Sequence, residues 1–175
     1  PVHNRFLACS PPDAVAALSA IAGPRFQVFP QIEADLGTRM HAALTHCFEQ
    51  GAHQAILLGT DIPSLPANHL HQAFTLLSQK DTVLGPSTDG GYYLIGLTAP
   101  CLHIFQNIEW STPAVLSQTV ERIQAAGLSL GLLPPWYDVD TPEELDILLA
   151  HARALEQSGS SDTPRHTLAC LSSLT

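Results

Sequence analysis

The chain has 175 residues and few charged side chains, and most of those charges are acidic. Only 7 residues are Lys or Arg, against 16 Asp or Glu, so the formal net charge is −9. A surface this poor in cations argues against duplex nucleic acid or an anionic membrane as the main partner, because both are bound through clusters of Lys and Arg. Small anionic substrates stay open, provided that a metal ion neutralises their charge.

The sequence also lacks cysteine motifs and long apolar runs. Its 4 cysteines are scattered and form no CxxC pair, which argues against a zinc knuckle or a redox motif. We interpret them as reduced thiols, mostly in the core, and we expect a cytoplasmic protein. No apolar run approaches the ~20 residues that span a bilayer, so we expect no membrane span.

The chain does contain an alternation of strand and helix patterns. Short apolar runs such as 55–58 and 82–86 alternate with amphipathic segments that end at Gly or Pro. This alternation predicts an α/β protein, a three-layer α/β/α sandwich with a mostly parallel sheet. We expect a single domain over residues 1–157, and a flexible or loosely packed tail over 158–175.

An aspartate stands where a buried strand ends. Residues 55–58 are continuously apolar, as in a parallel strand that helices cover on both faces, and Gly59 and Pro63 then end the strand. Asp61 should therefore lie at the carboxyl edge of the sheet, where open α/β sheets bind ligands. The structural alternative is an Asp that caps backbone amides in a turn.

A second acidic segment, Asp138-Val139-Asp140, lies between a predicted strand and a predicted helix. If the segment is extended, both Asp side chains share one face. Asp61 and Asp140 could then bind Mg²⁺, which takes one or two carboxylates together with water and substrate phosphates. Asp140 can have a structural role at the same time, because it precedes a predicted capping box at Thr141-Pro142-Glu143-Glu144 and favours the helix dipole.

Two other segments are candidates for substrate contacts. In the turn Asp89-Gly90-Gly91, the glycines permit a ligand to approach the backbone, or only the positive φ of a hairpin, and Asp89 could act as a base. The polar segment 31–40 enters a helix, so Arg39 is either a phosphate or nucleotide contact or an exposed helix residue. The 9 histidines lack chelating spacing, so we expect no histidine-based zinc site.

Four segments, GTDIPSL, VLGPSTDGGYYLIGL, IEWST and DVDTPEEL, occur in an order and spacing that resemble a bacterial family. The family comprises GT-A-like glycosyltransferases or nucleotide-diphospho-sugar transferases, some of them associated with radical-SAM and selenium-related genes. It is similar to the molybdenum-cofactor and 2-phospholactate guanylyltransferases. The resemblance covers about residues 6–155 and implies a GT-A-like nucleotide-diphospho-sugar transferase fold.

The resemblance also implies which residues form the site. It places a Mg²⁺ or Mn²⁺ ion at Asp61 and Asp140, with Asp138 close by, and the acceptor near the Asp89 turn. With the residue-level analysis it gives catalytic residues Asp61, Asp89 and Asp140, and substrate-binding residues Asp35, Gly37, Arg39, Thr60, Gly90, Gly91 and Tyr92. Family members begin with a strand and a basic, glycine-containing nucleotide loop. Because the segment Arg5–Cys9 resembles their second strand, we expect this chain to lack both.

The favoured hypothesis is a metal-dependent transferase. Its donor would be a nucleotide sugar or nucleoside triphosphate, its acceptor a small molecule, and its reaction glycosyl or nucleotidyl transfer. One alternative is a degenerate, non-catalytic member of the family that acts as a binding or interaction module. A weaker alternative is a metal-dependent phosphatase or similar hydrolase.

Overall fold

The computed structural model describes residues 4–173. In chain order the strands are β1 (Phe6–Cys9), β2 (Gln27–Pro30), β3 (Ala55–Leu58), β4 (Thr82–Pro86), β5 (Tyr92–Leu97) and β6 (Leu130–Leu132). The α-helices are α1 (Val15–Ala22), α2 (Leu36–Glu49), α3 (Ala67–Leu77), α4 (Val115–Ala125), α5 (Pro142–Gln157) and α6 (Arg165–Ser172), and short 3₁₀ helices cover Pro12–Ala14 and Leu102–Phe105. None of the helices in this described part is long and apolar enough to cross a membrane.

The strands form two separate sheets. β1 and β2 pair in parallel, and the other four strands lie in the order β3-β5-β4-β6. β5 runs antiparallel to both of its neighbours, whereas β4 and β6 are parallel. The mixed α/β class is confirmed, but the predicted mostly parallel sheet is not. The reason is local, because the short turn between β4 and β5 returns the chain in the antiparallel direction.

Two apolar cores pack against the four-stranded sheet, because adjacent strand residues point to opposite faces. The first core contains Leu84 and Ile95 of the sheet, together with residues of α2 and α4 (Met40, Leu44 and Ile123). The second core contains Val83 and Leu94 of the sheet, together with residues of α3 (Ala73 and Leu77). The sheet is therefore held between helices that contact alternate residues of the same strands.

Helix α2 packs against both sheets. Its His46 ring lies on the rings of Phe6 in β1 and Phe29 in β2, with centroids 5.2 and 4.4 Å away. Its Met40 and Leu44 belong to the first core of the four-stranded sheet. One helix thus connects two sheets that share no strand pairing among the described residues.

A β-bulge interrupts the pairing of β4 with β5. Gly85 pairs with Leu94 but Pro86 pairs with Tyr92, so Tyr93 is an extra residue on β5. The Tyr93 ring lies across Gly85, where an added Cβ would come within 2.4 Å of the ring. The bulge reverses the alternation of β5, so Tyr92 packs against the first core and Tyr93 joins the second.

The chain beyond α5 contains a short helix rather than an extended tail. Thr163 and Pro164 are buried, the Thr163 hydroxyl donates to the Ser160 carbonyl oxygen at 3.1 Å, and α6 follows. The flexible or loosely packed tail over 158–175 stays a prediction. Residues 1–3 of the predicted domain and 174–175 of the predicted tail lie outside the described residues.

Candidate metal and substrate site

Three loops meet at one edge of the four-stranded sheet. Because β3, β4 and β6 run in the same direction, their carboxyl ends share that edge. We call the segments that follow them, 59–66, 87–91 and 134–141, the first, second and third acidic loops. Main-chain bonds join all three. Val139 N donates to the Asp61 carbonyl oxygen at 2.9 Å, Trp136 N to that of Pro86 at 3.0 Å, and Thr88 N to that of Trp136 at 3.1 Å.

The Asp61 side chain is exposed and lies over the backbone of the first loop. A Cβ at Gly59 would come within 2.7 Å of Asp61 Oδ1, so only glycine leaves room for the carboxylate where it lies. The cap position of α3 is Pro66, so Asp61 is not the capping residue of that helix. Capping of α3 therefore does not explain this aspartate.

Asp140 lies within the electrostatic reach of other carboxylates. Partial burial raises the pKa of its carboxyl, and negative charges on Asp61, Asp138, Glu144 and Asp89 raise it further. Predicted site residues on all three loops thus act on the charge of Asp140. A cation bound among them would offset these negative charges.

The backbone of Asp140 is fixed by the first turn of α5. Its amide donates to Glu144 Oε2 at 2.8 Å, and the Thr141 amide donates to the same oxygen at 2.9 Å. Thr141 accepts in return from the Glu144 amide, so the predicted capping box is confirmed. These bonds lower the pKa of Glu144, because they stabilise its charged form.

The Asp89 turn is held against the start of α4. Asp89 Oδ1 accepts from the Gly91 amide at 2.8 Å, and the Leu116 amide donates to the Gly90 carbonyl oxygen at 2.9 Å. Gly90 has φ 94° and lies so close to Pro113 that a Cβ would come within 2.5 Å of the Pro113 oxygen. The tight turn alone explains the glycine at position 90, and Asp89 remains exposed at the edge.

The donor atoms at this edge suit a hard divalent cation. Within residues 4–173, no group of three or more His, Cys, Asp or Glu side chains is placed to hold a metal ion by itself. Mg²⁺ needs no such group, because it commonly takes one or two carboxylates and completes its shell with water and substrate phosphate. At most two of Asp61, Asp138 and Asp140 would then ligate one ion as the side chains lie, and water and substrate phosphate would supply the other ligands.

The predicted nucleotide contacts near α2 have structural partners of their own. Asp35 caps α2 by accepting from the amide and the hydroxyl of Thr38, at 3.0 and 2.7 Å, and these bonds lower its pKa. Gly37 is buried beneath Trp110, whose ring would lie 2.7 Å from an added Cβ. Arg39 Nη1 lies 3.4 Å from Gln31 Oε1. Local contacts thus account for Asp35 and Gly37, whereas the buried Nε of Arg39 has no hydrogen-bond partner within the described residues.

Two cavities flank this part of α2. One of about 400 Å³ is lined by Arg39, Phe29 and His46, among others, and one of about 450 Å³ by Asp35, Thr38 and Trp110, among others. No residue of the three acidic loops lines either cavity. The structure thus brings Asp61, Asp89, Asp138 and Asp140 together, with Thr60, Gly90 and Gly91 on the same loops. It leaves Asp35, Gly37 and Arg39 elsewhere.

Tyr92 points away from the edge. Its hydroxyl is buried near Thr119, and burial raises its pKa well above the usual range. Its neighbour Tyr93 does reach the loops, because its hydroxyl donates to the Pro134 carbonyl oxygen at 3.0 Å and burial raises its pKa to about 12. Sequence analysis missed Tyr93, and also Ser64 and Trp136, which bond to each other at 3.1 Å. The bulge that decides between the two tyrosines has no clear sequence signal.

Similarity to a solved structure and to a protein family shows the class to which this chain belongs. A crystal structure from Desulfovibrio desulfuricans G20, provisionally named a nucleotide-diphospho-sugar transferase, matches with a TM-score of 0.80 and 33% identity over 91% of this chain and 71% of that one. The fold is thus the mixed α/β fold of that protein. Residues 1–112 match DUF2064, a family described as uncharacterized and conserved in bacteria, and the chain belongs to it. No curated protein matches the chain.

Proposed function

We propose that this chain is a metal-dependent transferase. Its donor is an activated nucleotide, either a nucleotide sugar or a nucleoside triphosphate, and its acceptor is a small molecule. The observation that carries the proposal is the bond from the Val139 amide to the Asp61 carbonyl oxygen, 2.9 Å long, which unites two acidic segments far apart in sequence. The similarity to the Desulfovibrio protein supports a transferase. The proposal includes the GT-A-like, three-layer arrangement and the kinship with the guanylyltransferases.

The acidic loops supply the groups that such a reaction needs. Asp61 and Asp140, with Asp138 beside them, would hold Mg²⁺ or Mn²⁺. When bound, such an ion offsets negative charge on the phosphates of the donor. In glycosyl transfer, Asp89 would take the proton of the acceptor hydroxyl as the new glycosidic bond forms, and the bond from the sugar to the nucleoside diphosphate would break so that the nucleoside diphosphate leaves. In nucleotidyl transfer, an acceptor phosphate would attack the α-phosphorus and pyrophosphate would leave, so no base is needed.

The remaining predicted residues have different support. Thr60, Gly90 and Gly91 lie on the acidic loops, and we propose them as substrate contacts. Asp35, Gly37 and Arg39 would contact the nucleotide only if the donor extends to the two cavities beside α2. Tyr92 has the least support, because its hydroxyl is buried in the first core.

The test is a panel of nucleoside triphosphates and nucleotide sugars, each measured by thermal shift with and without Mg²⁺ or Mn²⁺. We expect one nucleotide to stabilise the protein only when metal is present. Asp61→Asn should abolish that stabilisation, because it removes a charged metal ligand but keeps the shape of the side chain. Asp13→Asn is the matched control, since Asp13 is exposed and distant in sequence from the acidic loops.

Three outcomes would contradict all or part of this proposal. If a nucleotide with metal stabilised the Asp61→Asn variant as much as the wild type, Asp61 would not be a metal ligand. A nucleotide that binds equally well without metal, with no product formed from any acceptor, would favour the non-catalytic binding module. Release of free phosphate without an acceptor would favour the hydrolase.

A further inference from the structure

The side chain of Trp136 connects acidic loops without belonging to the proposed chemistry. Trp136 lies in the third loop, and its Nε1 donates to Ser64 Oγ of the first loop at 3.1 Å. Its backbone bonds to Pro86 and Thr88, at 3.0 and 3.1 Å, fix it to the second loop. No other bond described at this edge joins two of the loops through their side chains.

The Trp136 ring is held in place by three aromatic neighbours. His69 of α3 lies against one edge with centroids 5.1 Å apart, Tyr137 stacks at 5.8 Å with an interplanar angle of 18°, and His151 of α5 lies at 5.9 Å. His69 is 8% exposed, and burial lowers its pKa, so it packs as a neutral ring. The acceptor Ser64 is 2% exposed. The indole therefore has a fixed orientation and a buried partner.

We infer that Trp136 and Ser64 are a positioning pair that sets the spacing between Asp61 and the Asp138–Asp140 segment. The bond from Val139 to Asp61 is one connection between the first and third loops. A pair of segments joined at one point can pivot about it. The Trp136–Ser64 bond is a second connection, formed by residues that follow Asp61 in the first loop and precede Asp138 in the third, and two connections prevent that rotation. The consequence for metal binding rests on the proposed function, whereas the spacing itself does not.

The primary readout is hydrogen exchange at the Val139 amide, which reports whether the first and third loops stay joined. The variants are Ser64→Ala, Trp136→Phe and the double variant. Trp110→Phe is the control, because it changes the other tryptophan, which packs on Gly37. We expect Val139 to exchange roughly 5-fold faster in all three variants, the effect of one lost hydrogen bond, and at the wild-type rate in the control.

The double variant separates positioning from stability. Ser64→Ala leaves the buried indole N–H without an acceptor, so its urea midpoint should fall. In the double variant both partners are gone, so the midpoint should recover while exchange at Val139 stays fast. If exchange recovers together with the midpoint, or never changes in any variant, the pair is only structural and the inference is overturned.

A second readout, the affinity for Mn²⁺ alone, connects the pair to the site. Displacement of supporting groups around a metal site typically weakens binding about tenfold, and we expect that loss in Trp136→Phe and in the double variant but not in Trp110→Phe. Wild-type protein that binds no Mn²⁺ would contradict the proposed metal site, and Val139 exchange would still decide the positioning role. Normal Mn²⁺ affinity in the double variant would overturn the inferred role of the pair at the site.

Discussion

The two sheets of this protein differ in burial and in what they carry. In the four-stranded sheet, residues 82–85 and 93–97 are buried between the two cores. In the two-stranded sheet, Cys9 is the only buried residue, and the Phe6 and Phe29 rings rest on one histidine of α2. All three acidic loops extend from the buried sheet. The carboxylates thus stand on loops that follow strands of the more deeply buried sheet.

The same contrast divides the predicted site residues into two groups. Asp61, Asp89, Asp138 and Asp140 lie on the four-stranded sheet, whereas Asp35, Gly37 and Arg39 follow β2 of the two-stranded sheet. The loops of the first group are joined by main-chain bonds, whereas Arg39 and Asp35 of the second each line a different cavity. Precise metal ligation requires the first kind of arrangement. The comparison therefore predicts that the four-stranded sheet contributes more than the two-stranded sheet both to stability and to metal binding.

The largest expected difference between the sheets is in stability. Leu84 of β4 is 0% exposed, so Leu84→Ala should lower the free energy of unfolding by about 2–5 kcal/mol, because it leaves a cavity in the first core. Leu7 of β1 is only half-buried, and Leu7→Ala should cost about 1 kcal/mol. Urea unfolding of the two matched variants measures both. Equal losses would show that the two sheets contribute alike.

An intermediate effect is expected on metal binding. Gly59→Ala would place a methyl group 2.7 Å from Asp61 Oδ1, and the carboxylate must move because the loop is exposed and the side chain is free to turn. We expect Mn²⁺ affinity to fall about tenfold with an unchanged urea midpoint. The control is Thr38→Ala, in the α2 cap beside the two-stranded sheet, which should leave Mn²⁺ affinity unaltered. If Thr38→Ala weakened Mn²⁺ binding and Gly59→Ala did not, the metal site would lie beside the two-stranded sheet instead.

The smallest expected effect is a dependence of stability on pH. We expect the same direction of change at Asp35, beside the two-stranded sheet, and at Glu144, beside the four-stranded sheet. The pKa values of Asp35 and Glu144 lie below 3.8 and 4.5 respectively, because each carboxylate accepts bonds at a helix start. A lowered pKa means that the stabilisation is fully present above those values and is lost as pH falls through the folded pKa. Asp35→Asn and Glu144→Gln should therefore differ most from wild type near pH 7 and least near pH 3, as measured by thermal midpoints. A constant difference across that range would contradict the assignment.

Local sequence signals predicted most of the helices and strands. Features that depend on pairing between distant strands were not predicted. The strand at 55–58, the turn at Asp89 and the capping box at Thr141 depend on neighbouring residues, and the structure has them all. The predicted mostly parallel sheet did not take into account that the hairpin at Asp89 makes β5 antiparallel to its neighbours. The Tyr92 side chain was assigned to the site because alternation cannot show a bulge.

The positions of the carboxylates at the acidic edge were predictable from local signals. The hydrogen bonds that join its loops were not. Asp61 follows a buried strand, and Asp140 precedes a capped helix, so both positions could be read from their neighbours. That Ser64 would bond to Trp136 depends on the meeting of two loops far apart in the chain, which no periodicity encodes. Arg39 was predicted as a phosphate or nucleotide contact both from its segment and from the resemblance, and in the structure it lines a cavity that no residue of the acidic loops borders.

The bond between Val139 and Asp61 has a consequence for how this site can evolve. Both of its atoms belong to the main chain, so the bond survives any side chain that the local backbone tolerates at either position. Exchanging Asp61 or Asp140 for Asn, Ser or His would then alter the ligand preference of the edge without moving its scaffold. After gene duplication, a few point substitutions could adapt such an edge to a different ion or substrate while the fold stays intact.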